Sequence, residues 1–113
     1  MSKFFITTAI DYPNGIPHIG HAYEKILADV ISRYRRLCGD EVFFLTGVDQ
    51  HGQKMQQTAD REGVNVVTLA QRNTRKSIAL WEKLGVHYDG WAATTDERHK
   101  SCVQSILATL HGE

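Results

Sequence analysis

Apolar positions along the chain follow two rhythms. Residues 3–8 (KFFITT) form a short β-branched and aromatic run, the composition of a buried strand. The next residues, AIDYPNGIP, carry Pro13, Gly15 and Pro17 and read as a loop. Then the period changes. Tyr23, Ile26, Leu27, Val30, Ile31, Tyr34, Leu37 and Cys38 make an unbroken helical stripe, with Glu24, Lys25, Asp29, Arg33, Arg35 and Arg36 on the other face. Gly39 closes that helix. Residues 41–47 (EVFFLTG) are again almost continuously apolar, as in a parallel strand covered on both faces. After the loop VDQHG, the pattern predicts a short helix over 53–61 ended by Gly63. A longer one over 67–84 turns Leu69, Ala70, Ser77, Leu80, Trp81 and Leu84 to the core, and Gly85 ends it. Residues 86–95 (VHYDGWAATT) read as extended or irregular. Asp96 can cap a last helix carrying Val103, Ile106, Leu107 and Leu110.

Strand, helix, strand, helix, helix, extended piece, helix is the opening of an α/β fold with a parallel sheet and crossover helices. No repeat, low-complexity tract or linker interrupts it. Two strands make too small a sheet to serve helices on both faces, and the last helix reaches LHGE with no following element. The pattern therefore reads as the first part of a larger domain.

Composition narrows this little. The chain has 113 residues, enough for one small domain or part of a larger one, and its formal net charge is zero. Neutrality gives no global pull toward nucleic acid or an anionic membrane. No apolar run approaches the ~20 residues that span a bilayer, and the N-terminus has no signal-peptide pattern. A cytoplasmic protein is the default expectation. Cys38 and Cys102 are far apart, both in helical patterns, and read as buried free thiols.

The unusual chemistry lies in the two loops that follow the strands, where open parallel sheets bind ligands. His18 and His21 stand three apart at the mouth of the first helix, so they share a face. Unpaired N–H groups and the helix dipole favour an anion there. Three readings stay open for the histidines: donors to a phosphate, capped structural residues, or metal ligands. Gly20 between them leaves room for a flat ring against the backbone. Asp49, just past the second strand, can pair with an ammonium group or serve as a helix cap. Tyr12 can wall a pocket or simply pack. Trp81 has core spacing, Trp91 is open, and Arg33, Arg35 and Arg36 read as a solvated face, with nucleic-acid contact the lesser alternative.

PHIGH after a first strand resembles the His-Ile-Gly-His signature of the class I aminoacyl-tRNA synthetases. The longer run FFITTAIDYPNGIPHIGHAYEKILADVISRYRRLCGDEVFFLTGVDQHGQK resembles the opening of the methionyl-tRNA synthetase family. FLTGVDQHGQK distinguishes it from the leucine, isoleucine, valine and cysteine branches, and WAATTDERHKSCVQ resembles the segment leading into that family's connective insertion. The likeness covers nearly the whole chain. It implies the first half of a Rossmann-like class I nucleotide-binding fold over residues 1–113, ending at the start of the connective insertion. It also implies a ligase: methionine attacks the α-phosphorus of ATP, and the methionyl group then passes to the methionine tRNA. By the same likeness His18 and His21 are catalytic, and Asn14, His18, Gly20 and His21 belong to the ATP site, with Mg2+ accompanying the nucleotide. Ile10, Tyr12 and Asp49 belong to the methionine site. His51 and Gly52 receive no role.

The departures from the family pattern bear on activity. Asp11 stands where many relatives carry Tyr or Pro. The second signature, Lys-Met-Ser-Lys-Ser, occurs nowhere, and loss of one electrostatic donor of that kind costs about 10²–10³ in rate. The connective domain, often zinc-bearing, and the helical anticodon-binding domain are outside these residues too. No metal site is expected in this chain, and neither is tRNA binding or substantial activity by this piece alone. The competing reading is a stand-alone synthetase-like module that binds a nucleotide or a partner and catalyses nothing. A small nucleotidyltransferase explains the histidines but not GVDQHG.

Overall fold

A computed structural model describes residues 1–112. Three strands, β1 (Lys3–Thr7), β2 (Glu41–Val48) and β3 (Gly90–Ala93), form one parallel sheet in the order β1-β2-β3. Phe5 pairs with Phe43, and Leu45 with Gly90. The crossovers are α1 (Ile19–Leu37) between β1 and β2, then α2 (Gln53–Glu62) and α3 (Val66–Lys83) between β2 and β3; α4 (Glu97–Gly112) follows. The segment read as extended or irregular thus supplies a third strand. β3 comes close to β2 because position 47 has no side chain. A Cβ on Gly47 would lie 1.8 Å from the Ala92 carbonyl oxygen.

The core joins Ala28 of α1, Phe44 of β2, Trp81 of α3 and Val86, with Ile6, Leu80, Tyr88 and Trp91 packed around them. A second cluster, Met55, Ala59, Leu69 and Ala70, holds α2 to α3. One sheet face is covered this way. On the other, Phe5 and Phe43 stack at 6.0 Å and remain 62% and 47% exposed. The expectation that β2 is covered on both faces, and that β1 is buried, is therefore corrected. Phe5 and Phe43 alternate with Phe4, Ile6 and Phe44; Phe4 lies under Arg35 of α1, and Ile6 and Phe44 pack in the core.

The larger correction concerns α1. Its predicted apolar stripe faces out: Tyr23, Ile26, Leu27, Val30, Tyr34 and Leu37 are all exposed. Lys25, Ala28, Asp29 and Ser32 are buried instead. Small Ala28 and Ser32 let the helix lie close to the sheet, and the charged pair beside them is satisfied. Asp29 accepts from Arg33 Nε at 2.6 Å and from the His87 N–H at 2.9 Å. Burying charges is tolerable only with such partners. In α4, likewise, Val103, Ile106, Leu107 and Leu110 are exposed. Asp96 stands just before that helix: its carbonyl accepts the Lys100 N–H at 3.0 Å, and its carboxylate accepts from the Ala93 N–H.

Three smaller expectations also change. Both cysteines are free, but they are exposed rather than buried. Leu84, expected in the core, is 42% exposed. The three arginines of α1 are anchored to the fold rather than merely solvated: Arg33 to Asp29, Arg35 to Asp40, Arg36 to Asp89.

Candidate functional site

The rim of the sheet at the strand C-termini gathers most of the candidate residues. The loop after β1 is fastened at several points. An isolated parallel bridge joins Asp11 to Val48, and the Asp11 carbonyl accepts the Asp49 N–H at 2.9 Å. Pro13 is buried, and its carbonyl accepts from Asn73 Nδ2 of α3 at 2.8 Å. The two loops that the sequence marks out are thus bonded to each other and to a core helix.

His18 and His21 cap α1 together. His18 Nδ1 accepts the Gly20 N–H at 3.0 Å, and His21 Nδ1 accepts the His18 N–H at 3.1 Å. This is a capping box built from two imidazoles instead of a hydroxyl and a carboxylate. The rings stack with centroids 3.8 Å apart. Because each Nδ1 accepts a backbone N–H, each neutral ring carries its proton on Nε2. Two parallel N–H donors therefore stand at a helix N-terminus, a place suited to an anion. His21 Nε2 also lies 3.9 Å from Asp11 Oδ1.

Gly20 fits this arrangement sterically. A Cβ there would meet His18 Cε1 at 2.8 Å. The flat ring that lies over Gly20 in this structure is the chain's own His18. The residues Asp11, Tyr12, Asn14, His18 and His21 line one hollow of about 250 Å³, with Val48 and Ser77 at its floor. Ile10 and Asp49 do not line it.

Asp49 sits on the adjoining loop. Its Oδ1 accepts the His51 N–H at 3.2 Å and the Thr94 hydroxyl at 3.4 Å. It is not the cap of α2, whose N-cap is Gly52 with no side-chain bond. His51 turns its Nε2 to the Thr94 carbonyl at 3.2 Å, while Gln50 bonds Thr74 and Thr95. Tyr12 bridges the two places, for it also lines a second hollow with His51, Gly52, Gln53 and Lys54. Ile10 and Tyr12 are 42% and 57% exposed. Among the described residues, no three His, Cys, Asp or Glu side chains cluster as metal ligands would.

Three residues here escaped the reading of the sequence: Lys25, Asp11 as a site member, and Thr94. Lys25 is wholly buried and bonds Asp11 Oδ2 at 2.8 Å. A signal for it exists. Positions 25, 28, 29 and 32 recur at helical spacing and are polar or small, a second stripe beside the apolar one.

A parallel sheet with two imidazole donors at the mouth of its first crossover helix defines an α/β protein whose sheet rim suits an anion. The family model described as tRNA synthetases class I (M) matches residues 4–113, and the chain belongs to that family. The methionine–tRNA ligase of Rhizobium meliloti is 53% identical over 105 residues, covering 93% of this chain and 20% of that protein. That of Deinococcus radiodurans is 48% identical over 110 residues, covering 96% of this chain and 16% of that protein. Among solved structures, the Mycobacterium tuberculosis methionyl-tRNA synthetase in complex with methionyl-adenylate superposes with a TM-score of 0.86 at 45% identity. That match covers 88% of this chain and 19% of that one. The chain spans about a fifth of the length of the relatives it matches.

Proposed function

We propose that residues 1–113 are the N-terminal half of the catalytic domain of a methionine–tRNA ligase, up to the start of the connective insertion. In this reading the chain supplies part of the site that joins methionine to ATP. The substrates of the whole ligase are methionine, ATP with Mg2+, and the methionine tRNA, and it works in the cytoplasm. Zinc, where present, belongs to the connective insertion and not to these residues.

The observation that carries the reading is the paired imidazole cap. Both Nδ1 atoms are committed to backbone N–H groups, so only the Nε2–H edges remain to meet a ligand. Two donors fixed in advance at a helix N-terminus suit a phosphate that gains charge as it is attacked. The same commitment leaves a metal ion only two nitrogens. His18 and His21 therefore act on the α-phosphate, with Asn14 on the ATP side of the hollow. Gly20 lets a flat group approach the backbone, where adenine competes with the His18 ring for that space. Asp49 takes the ammonium group of methionine, and Ile10 and Tyr12 take its side chain. The likeness to a structure solved with methionyl-adenylate supports this division.

The test is titration of the chain with ATP, followed through the imidazole resonances, alongside methionine-dependent exchange of pyrophosphate into ATP. Saturable shifts at His18 and His21 are expected, and the His21 shift weakens at least severalfold in His18→Asn, which keeps a good helix cap while removing one donor. Exchange by this chain alone stays near background, about 10²–10³ or more below a complete ligase, because a second electrostatic signature is lacking. Imidazoles indifferent to ATP would refute the reading. Brisk exchange would refute the dependence on further residues.

A further inference from the structure

Lys25 has no place in the reading above, yet it is 0% exposed. A buried ammonium is costly unless every proton finds a partner. Its Nζ bonds Asp11 Oδ2 at 2.8 Å, Glu24 Oε1 at 3.1 Å and the Ala9 carbonyl at 3.1 Å, and it sits 5.7 Å from the centre of the Trp81 ring. Glu24 Oε1 in turn accepts the Ala9 N–H at 3.0 Å. Two neighbouring residues of α1 thus grip Ala9 from both sides of its backbone. Lys25 reaches two positions further and holds Asp11.

Asp11 is where the two halves of the site meet. Its side chain lies 3.9 Å from His21 Nε2, and its carbonyl holds the Asp49 N–H at 2.9 Å. Its carboxylate would also repel a phosphate brought to the histidines. The ammonium 2.8 Å away cancels most of that field at short range.

We propose that Lys25 is a positioning residue that, through Asp11, sets His21 and Asp49 relative to one another and screens the Asp11 charge from an incoming phosphate. The ligands it serves rest on the reading above, but the positioning itself does not need them.

The test compares the wild-type chain with Lys25→Met, which keeps length and removes charge, and with Asp11→Asn/Lys25→Met, which removes both charges. Amide hydrogen exchange and the imidazole nitrogen shifts are followed without nucleotide. In Lys25→Met the Asp49 amide should exchange about tenfold faster, and the His21 ring nitrogens should shift, while the amides of α2 keep their rates. In the double variant the Asp49 rate should stay within about threefold of that of Lys25→Met, because both changes cut the same link, and a further large acceleration would mean that the two residues act separately. An unchanged Asp49 rate, or equal acceleration of α2, would overturn the proposal, for Lys25 would then be mere filling. Should Lys25→Met not fold, Asp11→Asn decides. The His21 nitrogens must move and the Asp49 amide must quicken, and if neither does the idea fails. ATP added to the wild type is a separate arm: no response there counts against the nucleotide site and leaves the Lys25 result standing.

Discussion

The two sides of α1 differ in a way that reverses the usual assignment. One side is polar or small and buried: Lys25, Ala28, Asp29 and Ser32. The other is apolar and exposed, from Tyr23 through Ile26, Leu27, Val30 and Tyr34 to Leu37. Hydrophobic periodicity identifies a helix because either stripe repeats every three to four residues. It does not say which stripe is inside. That is decided by what the neighbouring elements offer. The sheet approaches closely enough to want Ala and Ser, and the loops around it offer the His87 N–H, the Ala9 carbonyl and Asp11 as partners for charge. The polar side is specific, since each group has a named partner. The apolar side is generic and has none among the described residues.

Substitutions on the two sides should separate accordingly. The largest effect is expected for Asp29→Ala. It strips two charge-assisted bonds and leaves the His87 N–H without its partner, costing about 2–3 kcal/mol in urea denaturation. The figure stops there because Arg33 is half exposed and can turn to water. A loss under about 0.5 kcal/mol, the range of an ordinary surface change, would mean that the polar side is not the one that anchors the helix. On the other side, Tyr34→Ser should change stability by less than about 0.5 kcal/mol. A loss well above that would break the comparison, because it would mean that the stripe is covered in solution.

The smallest effect concerns pH. Tyr88 packs against Trp91 at 5.3 Å on the inner side of the sheet. Burial raises its pKa above 10.0, and the nearby Glu82 carboxylate adds to the rise. The folded protein therefore keeps the phenol proton longer than the unfolded chain does. The stabilising contribution is complete below pH 10 and is lost as pH climbs through the raised folded-state value. Tyr88→Phe should flatten the fall in melting temperature above that pH. An unchanged slope would show that Tyr88 is not the group responsible.

Element order was legible in the sequence, because breakers stand between the periodic runs. Gly39, Gly63 and Gly85 all take positive φ just after helices, where an αL turn is needed. The third strand was harder to read. GWAA is four residues long and shows no alternation, and it becomes a strand only because β2 offers it an edge at Gly47. His18, His21 and Asp49 could be picked out from loop position and residue type. Their linkage through Asp11 and Lys25 could not. It depends on a bond between residues 14 apart, and a lysine in a helix pattern is ordinarily placed in water. That Asp49 is not the cap of α2 also needed the structure, which has Gly52 at the start of that helix.

The mutual cap of His18 and His21 makes one pair of side chains answer to two masters. An alanine at either position undoes the first turn of α1 and removes a donor in the same stroke, so a dead variant would not reveal which loss killed it. Asparagine at 18 escapes the confusion, being among the best residues for starting a helix while carrying no imidazole. If the proposed reading holds, drift at these two sites is checked twice, once by folding and once by chemistry. A motif secured in that fashion can persist in a chain even after one of its duties has lapsed.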